Sequence, residues 1–115
     1  YVIIKEAALA KAYDRHDITI TILMGDARDT IKTINPAIIK FDAVFLDPFS
    51  PKRCPELWTK EFLSDIKERM KNEAIMATYS CATEVRQNMR DIGFTVKNGV
   101  VFGRKAPSTV AVNTH

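Results

Sequence analysis

The sequence predicts an α/β fold in which a mainly parallel sheet ends in a C-terminal antiparallel hairpin. Apolar, β-branched runs alternate with amphipathic runs of helical period along the chain. Strands that are separated by helices pair in parallel, and the helices cover the faces of the sheet. The last two predicted strands, residues 94–96 and 109–112, have no helix between them, and this predicts the hairpin.

The first part of the chain predicts two strands and two helical segments. Residues 1–4 form a short apolar run that is typical of a strand. Residues 6–15 carry an apolar stripe and good helix formers, which favour a helix. Residues 18–24 alternate β-branched side chains and predict a strand. Residues 30–34 fit a short helical turn that ends before Pro36.

A third strand is predicted at residues 42–46, where an apolar run ends at Asp47 and two nearby prolines prevent further pairing. Its nearly continuous apolar character is typical of an interior strand of a parallel sheet. A helix is predicted over residues 55–70, with Pro55 in its first turn. The apolar face of this helix comprises Trp58, Phe62, Leu63, Ile66 and Met70.

The C-terminal third predicts a strand at residues 74–79 and a further helix after it. Ser80 is the candidate N-cap of that helix, because a serine hydroxyl accepts hydrogen bonds from the first backbone N–H groups of a helix. Gly93 is expected to end the helix, since glycine readily adopts the left-handed conformation found there.

Two predicted strands end in an acid, and these acids are the candidate functional residues. Asp26 follows Gly25 at the end of residues 18–24, and Asp47 follows residues 42–46. Ligands of open α/β sheets bind outside the carboxyl ends of the strands, where a carboxylate can accept hydrogen bonds from amino or hydroxyl groups. The alternative is that each acid only caps the turn or helical segment that follows it.

An aromatic residue and two pairs of basic residues are further candidates. Phe49 could stack on a planar group, although core packing is the commoner fate of a phenylalanine. The pairs Lys52-Arg53 and Arg104-Lys105 fall in predicted loops. There they would either hold a phosphate backbone or be ordinary solvated charge.

Composition limits the class of protein. The chain of 115 residues predicts one domain, residues 1–115, and its net charge of +3 is compatible with an anionic partner such as RNA. No membrane span, signal peptide or metal site is expected. Cys54 and Cys81 have no metal-ligand spacing, so we expect thiols in a cytoplasmic protein. No Gly-rich phosphate loop of the common types occurs, and the Tyr at position 1 suggests a piece of a longer protein.

Five segments of the sequence, taken in order, carry a family resemblance. They are Gly25-Asp26-Ala27, Phe45-Leu46-Asp47-Pro48-Phe49-Ser50-Pro51, Pro55-Glu56-Leu57-Trp58-Thr59, Ala77-Thr78-Tyr79-Ser80 and Phe102-Gly103-Arg104-Lys105. Residues 18–113 resemble the MnmC-like branch of the class I S-adenosylmethionine-dependent methyltransferases. These enzymes methylate an aminomethyl group on C5 of the tRNA wobble uridine. The resemblance implies a Rossmann-like class I methyltransferase sheet, S-adenosylmethionine as cofactor and tRNA as partner.

The resemblance also implies roles for single residues. Asp26 would accept a hydrogen bond from the adenine amino group of the cofactor, and Asp47 would lie near the sulfonium and orient the substrate amine. The residues implied in cofactor binding are Gly25, Asp26, Ala27 and Asp47. Those implied in the transfer itself are Asp47, Pro48 and Phe49. Candidates for tRNA contact are Arg104 and Lys105, with Lys52 and Arg53 added for their charge.

The sequence departs from the family at its start, because the first strand and the Gly-rich cofactor loop would lie upstream of Tyr1. We therefore expect weak or absent cofactor binding by the isolated chain, and a sheet completed by an upstream domain or by a homo-oligomer. Two alternatives stay open: a non-catalytic RNA- or protein-binding relic of the fold, and an aminopropyltransferase-like enzyme. The positive charges of Lys52 and Arg53 beside Asp47 disfavour the second, since its substrate is a polyamine.

Overall fold

The fold is that of a computed structural model, which describes residues 12–14, 18–99 and 107–114. The chain divides into two units, Tyr1–Thr33 and Ile34–His115, and each is described by itself. The prediction that residues 1–115 form one domain stays a prediction. The strand predicted at residues 1–4 lies outside the described residues.

The first unit contains a short antiparallel hairpin. Its strands are β1 (Ala12–Asp14) and β2 (Thr19–Thr21). The prediction of a helix over residues 6–15 is wrong at residues 12–14, where the structure has a strand. Local helix propensity is a weak preference of a few tenths of a kcal/mol per residue, and pairing with β2 outweighs it.

A short helix follows β2 in the first unit. Helix α1 (Ala27–Thr30) continues into a 3-10 turn at Ile31–Thr33. The sequence predicted a helical turn at residues 30–34, so the structure begins it three residues earlier. The earlier start comes from Asp26, which is the N-cap of α1 and accepts a hydrogen bond from the Arg28 backbone N–H.

The second unit contains a four-stranded mixed sheet. Its strands are β3 (Phe41–Phe45), β4 (Met70–Thr78), β5 (Phe94–Asn98) and β6 (Thr109–Asn113). Their spatial order is β3-β4-β6-β5. Strands β3 and β4 are parallel, whereas β6 is antiparallel to both β4 and β5. The α/β fold class and the terminal antiparallel hairpin are thereby confirmed.

Strand β3 lies at one edge of this sheet, as far as the described residues go. It pairs with β4 alone, and Phe45 at its end is 82% exposed. The interior position predicted for this strand is therefore not seen among the described strands. The pairing is also irregular: the register shifts between Phe41 and Ala43, and Glu73 on β4 has a φ of 69°, which is the left-handed region.

Two helices cover one face of the sheet and form the core with it. Helix α2 (Lys60–Glu68) follows a 3-10 turn at Pro55–Leu57, and helix α3 (Thr83–Asp91) follows β4. The predicted helix over residues 55–70 is therefore split at Trp58, because the Thr59 side chain caps α2. Every residue of its predicted apolar face is buried, namely Trp58, Phe62, Leu63, Ile66 and Met70.

The ends of α3 agree with the prediction at one end only. Gly93 follows the helix with a φ of 104°, as expected of a glycine at that position. Ser80 is not the N-cap, which is Ala82 and makes no side-chain cap. The Ser80 hydroxyl instead accepts a hydrogen bond from the Ala82 backbone N–H at 3.3 Å, because the chain turns once more before the helix begins.

Candidate active site

A tight turn follows β3 at the carboxyl end of the strand, and it carries Asp47. The last hydrogen bond of the β3–β4 ladder runs from the Leu46 backbone N–H to the Ala77 carbonyl oxygen, at 2.9 Å. Pro48 has no N–H to donate, so the ladder stops there. We call residues 47–50 the site turn.

The site turn is fixed through three of its carbonyl oxygens, each of which accepts at least one hydrogen bond. The Pro48 carbonyl accepts from the Tyr79 hydroxyl at 2.8 Å. The Phe49 carbonyl accepts from the Trp58 indole Nε1 at 2.9 Å. The Ser50 carbonyl accepts from two backbone N–H groups that follow it, at 2.9 and 2.8 Å. The backbone of this turn is therefore held by donors from three parts of the chain.

The Asp47 carboxylate itself is exposed. Within the described residues it makes no hydrogen bond or ion pair, so the alternative that Asp47 only caps a turn finds no hydrogen bond to support it. An exposed carboxylate at the end of a strand can still accept hydrogen bonds from a ligand. The Asp47 carboxylate can therefore bind a ligand, whereas an acid that caps a turn already accepts hydrogen bonds from the backbone.

Phe49 and the neighbouring cations share the site turn or lie just after it. The Phe49 ring is 73% exposed, so it is not a core residue of the described sheet. The Arg53 guanidinium lies 5.8 Å from the centre of this ring, which is within the range of a cation–π contact. Lys52 is exposed beside it. The structure therefore places the Arg53 guanidinium beside Phe49, and Asp47, Phe49, Lys52 and Arg53 are all exposed within or just after the site turn.

Asp26, in the first unit, is engaged locally. Its Oδ1 accepts from the Arg28 backbone N–H at 2.9 Å, and both carboxylate oxygens accept from the Arg28 guanidinium, at 2.7 to 3.2 Å. These hydrogen bonds, the side-chain ones first, lower the pKa of Asp26 from 3.8 to about 2. The alternative that Asp26 caps the helical segment after it is confirmed, and its role toward a cofactor stays a prediction.

The residues on either side of Asp26 decide how much space there is next to its carboxylate. Gly25 has a φ of 131°, a conformation that residues with a Cβ rarely adopt. Ala27 begins α1 and is half-buried. A backbone without a side chain next to the carboxylate leaves room for a planar group to come close.

Two of the candidates for tRNA contact are not among the residues that the structure describes. Arg104 and Lys105 fall outside the described residues. Among the residues that the structure covers, no cluster of three or more His, Cys, Asp or Glu side chains could hold a metal ion. No helix in that same part of the chain is long and apolar enough to cross a membrane.

Sequence reasoning missed the two donors that hold the site turn. Trp58 was interpreted as a core residue, and it is one, with 3% of its surface exposed. Its ring also meets that of Tyr79 edge to face, with the ring centres 6.1 Å apart. Only the recurrence of both residues within the family motifs could have drawn attention to them, because nothing local in the sequence pairs them with the turn.

Comparison with known proteins points to one family. The model of the S-adenosyl-L-methionine-dependent methyltransferases matches residues 1–114. A bifunctional tRNA 5-methylaminomethyl-2-thiouridine biosynthesis protein MnmC of Ralstonia nicotianae is 35% identical over 99 residues, which are 86% of this chain and 15% of that protein. An uncharacterized protein of Methanocaldococcus jannaschii is 39% identical over 92 residues, which are 80% of this chain and 25% of that protein.

A solved structure agrees with these sequence matches. The crystal structure of MnmC2 from Aquifex aeolicus superposes with a TM-score of 0.82 and 40% sequence identity. The match covers 96% of this chain and 36% of that one. The chain thus spans about a third of its structural relative and a smaller share of its sequence relatives.

Proposed function

The chain belongs to the S-adenosyl-L-methionine-dependent methyltransferase family, and from this membership we propose that it takes part in methyl transfer to an amine on the modified wobble uridine of tRNA. Its MnmC relatives are named for the biosynthesis of a modified uridine of tRNA. A tRNA substrate agrees both with this family membership and with the positive charges next to the site turn.

The observation that carries the proposal is the exposed Asp47 carboxylate at the end of β3. Transfer to an amine requires a neutral nitrogen whose lone pair points at the methyl carbon. Asp47 would accept a hydrogen bond from that nitrogen and so orient it, which is catalysis by proximity and alignment. The same carboxylate would stabilise the positive charge that develops on the nitrogen. When bound, S-adenosylmethionine supplies the electrophilic methyl group.

The residues around Asp26 are those that we propose for the adenine end of that cofactor. Asp26 remains partly exposed despite its contacts with Arg28, with 39% of its side chain accessible. Three N–H groups of Arg28 already donate to this carboxylate, one of them shared between both oxygens. An adenine amino group would therefore compete with the Arg28 guanidinium for the same oxygens. Gly25 contributes the absence of a side chain, and Ala27 contributes a small one, beside the ring.

Contacts with tRNA would come from the cations near the site turn. Phe49 offers an exposed ring on which a base can stack, and Pro48 would limit the space beside it. Lys52 and Arg53 would neutralise phosphates, with Arg104 and Lys105 as further candidates. Such contacts make affinity depend strongly on salt concentration.

A non-catalytic binding module is the second candidate, and one observation favours it. Asp26 already has a structural use, as the N-cap of α1 and as the partner of Arg28. An acid with such a use would persist without any cofactor. Asp47 has no comparable use among the described residues, and for this reason we prefer the enzyme.

The test is an assay of the full-length protein on tRNA that carries the unmethylated aminomethyl uridine. The tRNA is digested after incubation with S-adenosylmethionine, and the nucleosides are identified by mass spectrometry. We expect one methyl group on the wobble nucleoside, and none on a control tRNA that is already methylated. Salt-dependent tRNA binding without transfer would support the binding module, and transfer of an aminopropyl group to putrescine would support the aminopropyltransferase.

Cofactor binding by these 115 residues alone is expected to be weak. Strand β3 has a described neighbour on one side only, so an upstream domain or a second copy would complete the sheet and the cofactor site. A ligand at 100 times its dissociation constant adds about 2.7 kcal/mol to stability. We expect no such rise in the unfolding temperature of the isolated chain with millimolar S-adenosylhomocysteine. The proposed location is the cytoplasm, where tRNA is found.

A further inference from the structure

Two side chains from outside the site turn fix the peptide groups directly after Asp47. The Tyr79 hydroxyl donates to the Pro48 carbonyl oxygen at 2.8 Å, from 31 residues away in sequence. The Trp58 indole Nε1 donates to the Phe49 carbonyl oxygen at 2.9 Å, from 9 residues away. Tyr79 directly follows β4, and Trp58 lies just before α2. Two separate elements therefore hold consecutive residues of the turn.

From this geometry we infer that Trp58 and Tyr79 are positioning residues, which aim the Asp47 carboxylate at the amine. The inference rests on the role proposed for Asp47. Neither residue needs to touch substrate or cofactor for this purpose. Each acts on the backbone that carries the carboxylate.

The need for such donors follows from what the site turn lacks. The β3–β4 ladder ends at the Leu46 backbone N–H, and Pro48 has no N–H that could continue it. The Asp47 carboxylate has no partner among the described residues, so the described contacts hold the backbone of the site turn and not the carboxylate itself. A misplacement of about 1 Å in an oriented group can cost a factor of about 100 in rate. The two donors fix the backbone next to Asp47, and they thereby limit the positions that its carboxylate can reach.

The donors are themselves held in place. The Trp58 ring is buried, and the Asn88 side chain donates to the Trp58 carbonyl oxygen at 3.1 Å. The Trp58 and Tyr79 rings meet edge to face, with an interplanar angle of 86°. Trp58 therefore belongs to the packed core next to α3, and Tyr79, which is 37% exposed, is held against that core through the Trp58 ring.

The test uses Tyr79→Phe in the full-length protein, because this change removes one hydroxyl and keeps the ring. Loss of a typical net hydrogen bond corresponds to a factor of about 5 to 10. We expect kcat for methyl transfer to fall by about that factor while KM for S-adenosylmethionine and for tRNA stays unchanged. The matched control is Thr95→Val, which removes a hydroxyl contact of 2.9 Å on β5, at the opposite edge of the described sheet. It should keep the kcat of the unmodified protein.

A double-mutant cycle shows whether Tyr79 acts through Asp47. If it does, Tyr79→Phe has no further effect on kcat in an Asp47→Asn background. An unchanged kcat in Tyr79→Phe alone, or losses that simply multiply in the double variant, would overturn the inference.

A readout that needs no activity separates this inference from the proposed function. The backbone N–H groups of Arg53 and Cys54 donate to the Ser50 carbonyl at the end of the site turn. Their hydrogen exchange should be faster in Tyr79→Phe than in the unmodified protein, and unchanged in Thr95→Val. If the unmodified protein transfers no methyl group, the proposed function fails. The hydrogen-exchange rates then test the positioning role without the activity assay. Equal exchange rates would then refute the positioning role.

Discussion

Arg86 joins helix α3 to the ends of both strands of the terminal hairpin, and replacing it should destabilise the second unit. Its guanidinium donates to the Asn98 side chain at 2.7 Å, to the Ser108 carbonyl at 3.1 Å and to the Thr109 hydroxyl at 2.8 Å. The perturbation is Arg86→Met, which keeps a long helix-forming side chain and removes every donor.

The magnitude follows from the burial of the three acceptors. A hydrogen bond from a charged donor contributes about 1.5–3 kcal/mol. Asn98 is exposed, so water replaces Arg86 there at little cost. Ser108 is half-buried, and Thr109 is fully buried. With the lower figure for these two bonds alone, we expect the free energy of unfolding to fall by about 3 kcal/mol.

Urea denaturation followed by the fluorescence of Trp58 measures this loss, because Trp58 is the single tryptophan of the chain and lies in the same unit. Arg86→Lys should lose an intermediate amount, since one ammonium group cannot reach all three acceptors. Arg90→Met, at an exposed position of the same helix, is the matched control and should change stability by less than about 0.5 kcal/mol. If Arg86→Met were equally mild, the reasoning from this network would be refuted.

Two other predictions concern single residues. The Arg28 hydrogen bonds lower the pKa of Asp26 to about 2, so Arg28→Gln should return it toward 3.8 in an NMR titration of the carboxyl carbon; a pKa that stays near 2 would contradict this. Because the pKa is lowered by folding, the stabilisation is present above pH 3.8 and is lost as the pH falls toward 2. Glu73 has a φ of 69°, where glycine avoids steric strain but loses more chain entropy, so Glu73→Gly should raise the free energy of unfolding by about 0.5–1 kcal/mol. Urea denaturation measures the change, and a decrease in stability would show that the backbone is not strained there.

Interactions between residues close in sequence made much of the fold predictable. Helical spacing alone identified the buried face of α2, and the conformational freedom of glycine identified Gly93 as the residue after α3. The acid that follows β3 was found from where its apolar run stops, whereas β2 spans only Thr19–Thr21 of the predicted residues 18–24 and ends well before Asp26. These features depend on residues within a few positions of one another, and such interactions are visible in a sequence.

Other features depend on distant partners and were missed for that reason. Residues 12–14 continue the apolar stripe of helical period that predicts a helix, and their pairing with β2 makes them a strand instead. The irregular pairing of β3 with β4 depends on contacts across the sheet, and the sequence around Glu73 did not indicate it. The site turn was predicted from its prolines and its acid. Its donors Trp58 and Tyr79 were not, because folding is what brings them to it.

The most direct test of the central claim compares Asp47→Asn with the unmodified full-length protein at saturating S-adenosylmethionine and saturating substrate tRNA. The substitution keeps the shape of the side chain and removes its charge. We expect kcat to fall by a factor of about 100 or more, with the dissociation constant for S-adenosylhomocysteine changed by less than about threefold. An Asp47→Asn protein that methylates tRNA at the original rate would contradict the claim that this carboxylate orients the amine.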